Sequence, residues 1–438
     1  MTTVPSNTMP PSPAPRAAMF IVFIVVFIDL LGFGIVLPIM PRLAEHYMKG
    51  MSAQAQGAVI GALFSSFSLM QFIFSPVLGR ISDRIGRRPI LMLGLAGSVI
   101  FYALFGFAAS LPESAPELAL VLMLVSRIGA GIAGASVSTA AAVIADCTTP
   151  EKRARGMALI GAAFGIGFTF GPLIAYAGLK LFEDQKWGVG AIASGLSLLA
   201  LIFAAVKLPE TLRPNANLPP RHFFSLGRTL EVLRMPTVGP LVLIYFLVIF
   251  AFANFEATLA LFTHDAFGMN DEQNFLLFAG VGAVLMVAQG GLYRPLAGKW
   301  PETQLMTLGI GLMLLGMGGL VCVAWGAYML RPSPGAVDNL KFLFCLSGAT
   351  AVTGFAFVNP SVSALVSKRT DPTRQGEVLG VNQSGASLGR ILGPFIGSVV
   401  FKEHDSRILP YAAAAAVLLF VVGLLPLVKG PSVATKAA

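Results

Sequence analysis

The chain has 438 residues, of which 55% are hydrophobic and only 12% charged, where a soluble chain carries about a quarter charged residues. Its net charge of +9 sits in short connections between apolar runs, so nucleic acid is not an expected partner. Three cysteines, Cys147, Cys322 and Cys345, have no metal-ligand spacing and argue against a disulfide framework or a zinc site.

The apolar content is gathered into runs of about 20 residues, long enough to cross a hydrocarbon core of about 30 Å. They lack the alternation of the roughly 10-residue strands of a membrane barrel. Helices are therefore predicted, because a spanning segment must satisfy its own backbone polar groups. They fall at 17–40, 57–79, 88–110, 117–145, 156–179, 187–207, 238–262, 274–297, 303–329, 340–366, 377–400 and 408–429. An even number puts both termini on one side. Lys and Arg concentrate in the connections on that side, which the positive-inside rule makes cytoplasmic.

Residues 1–16 are rich in Pro and Ser and are expected to be a disordered cytoplasmic N-terminus. The following apolar run is too long for a signal peptide, so it is read as helix 1. Asp29 lies near its middle, where an acid costs about 2.5–3.5 kcal/mol on insertion scales. It is either a proton or cation site tuned by burial and a nearby cation, or half of a fixed ion pair between helices 1 and 4. Between helices 2 and 3, Gly79, Asp83, Arg84, Gly86, Arg87 and Arg88 crowd into one tight turn, which suggests a moving part. Helix 4 carries Arg127, which does not titrate; it either shifts a neighbouring carboxylate, binds an anion or hydrogen-bonds helix backbone. Asp146 and Arg153 flank the turn into helix 5 and are expected to join Arg84 and Arg87 in a charge cluster. Helix 5 contains Gly167, Gly171 and Pro172, which permit close approach and a bend.

The longest connection, 208–237, is read as a linker between a domain at 17–207 and another at 238–429. Its later part, up to Arg234, has the pattern of an amphipathic surface helix. Helix 7 carries Asn254 and, near its expected outer boundary, Glu256. Helix 8 carries Gln289, helix 10 Asn359, and helix 11 Gln383 and Arg390 after Glu377 at its start. With Gln71 of helix 2 these are candidates to line a substrate cavity. Arg390 binds an anionic substrate group or pairs across the cavity. For the amides the alternative is interhelical hydrogen bonding, worth about 0.6 kcal/mol on average. Gly393 and Pro394 of helix 11 are the counterparts of Gly171 and Pro172, and this pair of helices is expected to flex where the halves meet. Residues 430–438 form a cytoplasmic tail.

Residues 145–175 slide onto 367–397 without a gap, so that Gly167 meets Gly389, Gly171 meets Gly393 and Pro172 meets Pro394. Parallel six-helix repeats are the plan of one large transporter fold. The loop residues Gly79, Asp83, Arg84, Gly86, Arg87 and Arg88 match the helix 2–3 signature of the major facilitator superfamily. The run Asp29 to Pro41, Arg127 with Gly131, and Gly167 to Pro172 are similar to signatures of its drug:proton antiporter branch, which includes tetracycline exporters. Ala175 stands where the helix 5 motif has glycine. The resemblance implies a role in proton coupling for Arg127, and a cytoplasmic gate in which Asp83 meets the start of helix 11.

The expected fold is an all-α membrane protein of twelve transmembrane helices in two pseudo-symmetric six-helix domains. The expected function is secondary active transport of a small amphipathic organic molecule by alternating access, as proton-coupled export. The alternatives are an importer of a nutrient or organic anion, and a transporter-like sensor without flux. No nucleophile–base or metal constellation points to an enzyme, and no nucleotide-binding motif appears. No cofactor is expected; the proton gradient is the driving force. The expected partners are a small-molecule substrate, protons and the lipid bilayer, with the chain a monomer in a bacterial inner membrane.

Overall fold

The structure is a computed structural model. It describes residues 15–148, 150–211, 226–329, 334–371, 374–403 and 407–428. The side chains of Asp29, Arg153 and Glu377 lie outside the described residues.

Among the described residues, twelve long helices follow the twelve apolar runs. They are α1 (Pro15–Val36), α2 (Ala53–Ile85), α3 (Arg87–Ala109), α4 (Pro116–Gly134, resuming as Val137–Cys147), α5 (Pro150–Leu181) and α6 (Trp187–Lys207). The second half gives α7 (Gly239–Phe267), α8 (Asp271–Val287), α9 (Glu302–Met329), α10 (Pro334–Lys368), α11 (Gln375–Glu403) and α12 (Leu409–Val428). Two short helices, Met40–Tyr47 and Leu226–Arg234, lie in the connections, the second in the linker. Two departures from regular helix had no signal in the hydropathy pattern. The fourth helix breaks at 135–136, and α8 passes through a π-helical turn, Ala288–Tyr293, before Arg294–Leu296.

Local chemistry sets the ends. Ser52 caps α2 by accepting from the Ala55 N–H at 3.3 Å, and Asn270 with Gln273 forms a capping box at α8. Gly86 separates α2 from α3 at φ +115°, a conformation open to glycine and strained for other residues. Both ends of the twelve-helix path lie on one face, called here the terminal face.

The two halves, α1–α6 and α7–α12, use the same internal packing: α1 lies on α5 as α7 lies on α11. Between halves, α2 packs on α11 and α5 on α8. At the face opposite the termini a belt of polar contacts ties the halves together. Arg42 pairs with Asp271 at 3.5 Å and donates to the Met269 carbonyl at 3.0 Å. Lys186 lies 3.7 Å from Asp271. Lys180 pairs with Glu272, and Lys402 with Glu45. The molecule is therefore closed at the opposite face.

Candidate functional site

In the first half the site is built around Arg127. Its side chain is only 2% exposed, and its guanidinium lies over the Phe67 ring at 4.6 Å and the Phe33 ring at 5.7 Å. The two rings pack at 5.0 Å, so α1, α2 and α4 meet at this cation, held by cation–π attraction. Asp29 stands four residues before Phe33 in the sequence of α1. Tyr102 of α3 reaches the same place: a methyl group on Gly32 would meet its ring and hydroxyl at 2.4–2.5 Å. Gln71, Ser98 and Tyr102 line a small cavity beside Leu30. Gln71 also donates to the Gly134 carbonyl at 3.1 Å, where α4 breaks. The Arg127 Nε has no hydrogen-bond partner among the described residues.

In the second half, Tyr245 of α7 donates to Asn359 of α10 at 2.6 Å. Phe252 and Phe355 stack with centroids 3.9 Å apart. Arg390 of α11 is half-buried, and its electrostatic neighbours are Tyr245 and Glu256. Glu256, expected near the outer boundary of its helix, is half-buried on α7. Asn254 is a correction. It is buried and donates to the Pro410 carbonyl at 3.0 Å, so it joins α7 to α12 instead of lining a cavity. Gln289 falls on the π-helical turn and is half-buried, and Gln383 is exposed on α11.

The glycines on α5 and α11 make the close approaches expected of them, each to a helix of its own half. A methyl on Gly171 would lie 2.9–3.0 Å from Gly34 and Leu31 of α1, and one on Gly167 would lie 3.1 Å from Leu30. On α11, a methyl on Gly393 would lie 2.6 Å from the Phe250 carbonyl, and one on Gly389 would lie 2.9 Å from Phe246. These glycines let helices close up inside each half. The close approach between halves is made by glycines that the sequence did not single out. Gly57 and Gly61 of α2 lie against Val399 and Phe395, and Gly282 of α8 lies against Thr169. Pro172 and Pro394 stand inside their helices.

At the terminal face Arg87 is the hub. It pairs with Asp83 at 2.5 Å and Asp146 at 3.1 Å, and donates to Ser82 at 2.7 Å. Arg88 donates to the Ala205 carbonyl at 2.6 Å, and Arg84 is exposed in the last turn of α2. Gly79 has Ser138 of α4 as the neighbour of an added methyl, at 3.6 Å. Glu210, just past α6, accepts from the Arg87 and Arg88 N–H groups at 2.9 and 3.1 Å. At the opposite face Lys49 holds the Glu113 carboxyl below its usual range. Burial, with Glu113 nearby, pushes the Tyr47 hydroxyl up.

The family model described as Major Facilitator Superfamily matches residues 22–394 and 329–438. The chain belongs to the Major Facilitator Superfamily. Major facilitator superfamily domain-containing protein 10 of Homo sapiens is 29% identical over 436 residues, covering 91% of this chain and 89% of that one. The class B tetracycline resistance protein of Escherichia coli is 26% identical over 384 residues, covering 87% and 88%. Among solved structures, the human organic anion transporter MFSD10 (TETRAN) aligns with a TM-score of 0.65 at 27% identity, covering 94% of this chain and 100% of that one. The D-xylose-proton symporter aligns at 0.75 with 17% identity, covering 95% and 99%, a likeness of fold.

This superfamily member is a multi-pass membrane transporter that carries a small molecule across a lipid bilayer. Its curated relatives and structural neighbours are transporters, not enzymes. Two features of the superfamily chain escaped the sequence reading. Glu210 lies far along the chain from the loop it caps, and Tyr102 resembles any lipid-embedded aromatic until Gly32 is seen opposite it.

Proposed function

We propose that the chain is a proton-coupled exporter of small amphipathic organic molecules, working by alternating access with its terminal face in the cytoplasm. The observation that carries this reading is the buried Arg127, stacked on Phe33 and Phe67; in the sequence of α1, Asp29 comes four residues before Phe33. An acid and an arginine inside membrane helices are costly, and such residues mark ion pathways and proton relays. The guanidinium stays charged, so the proton carrier is the carboxylate and Arg127 tunes it. The similarity to tetracycline resistance proteins supports export, and the excess of Lys and Arg on the terminal face supports its being the cytoplasmic face.

The test is transport in membrane vesicles with an imposed pH gradient, using tetracycline and the fluorescent acid dansylglycine. Inside-out vesicles, acid inside, are expected to accumulate at least one of the two. Asp29→Asn is expected to cut pH-driven uptake to background while the protein still purifies as a folded species. Wild-type flux in that variant would remove Asp29 from the mechanism. A second reading is uptake of an organic anion, favoured by the two membrane-embedded arginines and by the similarity to the human organic anion transporter. Accumulation confined to right-side-out vesicles would establish it in place of export.

A further inference from the structure

Where α4 breaks, its ladder of backbone bonds is rearranged. The Ser138 N–H bonds to the Ala135 carbonyl at 3.3 Å, three residues back instead of the four of an α-helix. That frees the Gly134 carbonyl, and inside a membrane a freed carbonyl must find another donor. Gln71 of α2 supplies it at 3.1 Å. The Gln71 NH2 group is thereby fixed on α4, and its amide oxygen is the acceptor left for a third group.

Beside this bond lies a cavity of about 10 Å³, with Gln71, Ser98, Tyr102, Gly134, Leu30 and Phe67 in its wall. Ser98 and Tyr102 stand one turn apart on α3, and each is only 2% exposed. Tyr102 reaches α1, where its hydroxyl would lie 2.5 Å from a methyl on Gly32. Phe67 belongs both to the cavity wall and to the Arg127 stack, its ring 4.6 Å from the guanidinium. The space is too small for an organic substrate. A purely apolar cavity stays dry, whereas one with two to four polar partners and about 10–15 Å³ of room holds a water. Here the Gln71 amide and the two hydroxyls are the partners.

We infer that this cavity is a single-water site, that the water relays protons to and from the carrier carboxylate, and that Gln71, Ser98 and Tyr102 are its positioning residues. The inference rests on the proton-coupled reading, but not on the direction of transport. Leu30, in the cavity wall, follows Asp29 in the sequence of α1. In the relay the water takes a proton on one lone pair as it gives one of its own across another hydrogen bond. One O–H bond forms and one breaks, so it is water before and after. The aqueous phase is one end of the path and the carboxylate the other, with the order reversed on release. The shift is concerted, because a hydronium near the buried Arg127 would set two cations against each other in a low-dielectric site.

The titratable groups described around the cavity are Tyr102 in its wall and Arg127 beyond Phe67. The neighbouring α2 presents the uncharged Gln71. On the other side of α3, α6 presents Gly190 to the Tyr102 backbone and Ser194 to the Val99 carbonyl, and neither is charged.

The experiment compares pH-driven uptake with counterflow by the full-length protein in proteoliposomes, with tetracycline and dansylglycine as probes. Uptake requires the proton to move, whereas counterflow exchanges one substrate molecule for another. A damaged fold lowers both together. Tyr102→Phe removes one hydroxyl and keeps the ring; Ser98→Val removes the other and fills the cavity. Each is expected to lower the ratio of uptake to counterflow by about tenfold, and if one variant does not fold, the other decides. Infrared difference spectra between wild type and Ser98→Val are expected to contain a water O–H band that shifts in heavy-oxygen water. With wild-type coupling present, an unchanged ratio in either folded variant, or the absence of that band, would overturn the relay and leave the transport reading standing. A wild type that exchanges a probe but ignores the pH gradient would overturn the proton-coupled reading, and the relay with it.

Discussion

Arg87 shows how one side chain can organise a loop. Its guanidinium joins Asp83 on α2 to Asp146 at the end of the fourth helix, while its own N–H is held by Glu210 after α6. The two N–H groups that Glu210 accepts are among the unsatisfied donors at the start of α3. A carboxylate there also meets the positive end of the helix dipole. Glu210→Ala is predicted to cost roughly 1 kcal/mol and to lower the thermal unfolding midpoint in detergent. Glu210→Gln should recover part of this, because its amide oxygen still accepts a hydrogen bond. An unchanged midpoint in Glu210→Ala would mean that water replaces the carboxylate at no cost. The Arg87 cluster was partly legible in the sequence, because Asp83, Arg87 and Asp146 are conspicuous charges at helix ends. Glu210 was not, since a single acid beyond a helix looks like any solvated linker residue.

At the scale of elements, small residues decide how closely helices approach. Gly57, Gly61 and Ser65 are spaced by four and form a stripe on α2, and each touches α11: two by backbone approach, the third by its hydroxyl on the Ile391 carbonyl. Such stripes drive helix association in membranes, where van der Waals packing replaces the hydrophobic effect. A methyl on Gly61 would lie 2.8 Å from the Phe395 Cα, and one on Gly57 would lie 2.7 Å from the Val399 Cα. Both neighbours are backbone and can yield only by moving α11. Gly61→Val is therefore predicted to disfavour the closed opposite face. Cysteine pairs introduced at the opposite-face ends of α2 and α11 should cross-link severalfold more slowly in that variant; equal rates would show that the helices slide without separating. Hydropathy made the helices legible, and the glycines on α5 and α11 were visible as sites of close approach. Their partners were not, because a glycine records that a backbone comes near without recording which one. The sequence expected α5 and α11 to meet the other half, and they do, on α8 and α2, but Gly171 and Gly393 have α1 and α7 as neighbours.

At the scale of the whole molecule the fold was readable because twelve apolar runs and an internal repeat leave few ways to pack the chain. The state it occupies was not readable, because the two closed forms of an alternating-access protein share one sequence. What distinguishes them is which face carries contacts between halves. Here the opposite face carries them: Glu45 with Lys402, Arg42 and Lys186 with Asp271, and Lys180 with Glu272. Lys180–Glu272 is exposed enough to contribute little, while Arg42 and Lys186 with Asp271 are only partly exposed. The least exposed cation is Lys402, paired with Glu45, at only 9% exposed, so removing one partner leaves a poorly solvated charge. At the terminal face, Asp83 is held by Arg87 of its own half. If Asp83 exchanges this partner for the start of α11 when that face closes, the two charge sites oppose one another across the membrane. Lys402→Gln should then shift the population away from closure of the opposite face, and Asp83→Ala should shift it towards that closure. A change of 1–2 kcal/mol corresponds to about a five- to thirty-fold change in the ratio of states. Spin labels on the opposite-face ends of α2 and α11 are expected to report longer distances in Lys402→Gln and shorter ones in Asp83→Ala. The sites share no contact, so the double variant should lie between the singles, additive within about 0.5 kcal/mol. Shifts in the same direction for both single variants would show that Asp83 acts only within its own half, as a brace for Arg87, and that closure of the terminal face is held by other residues.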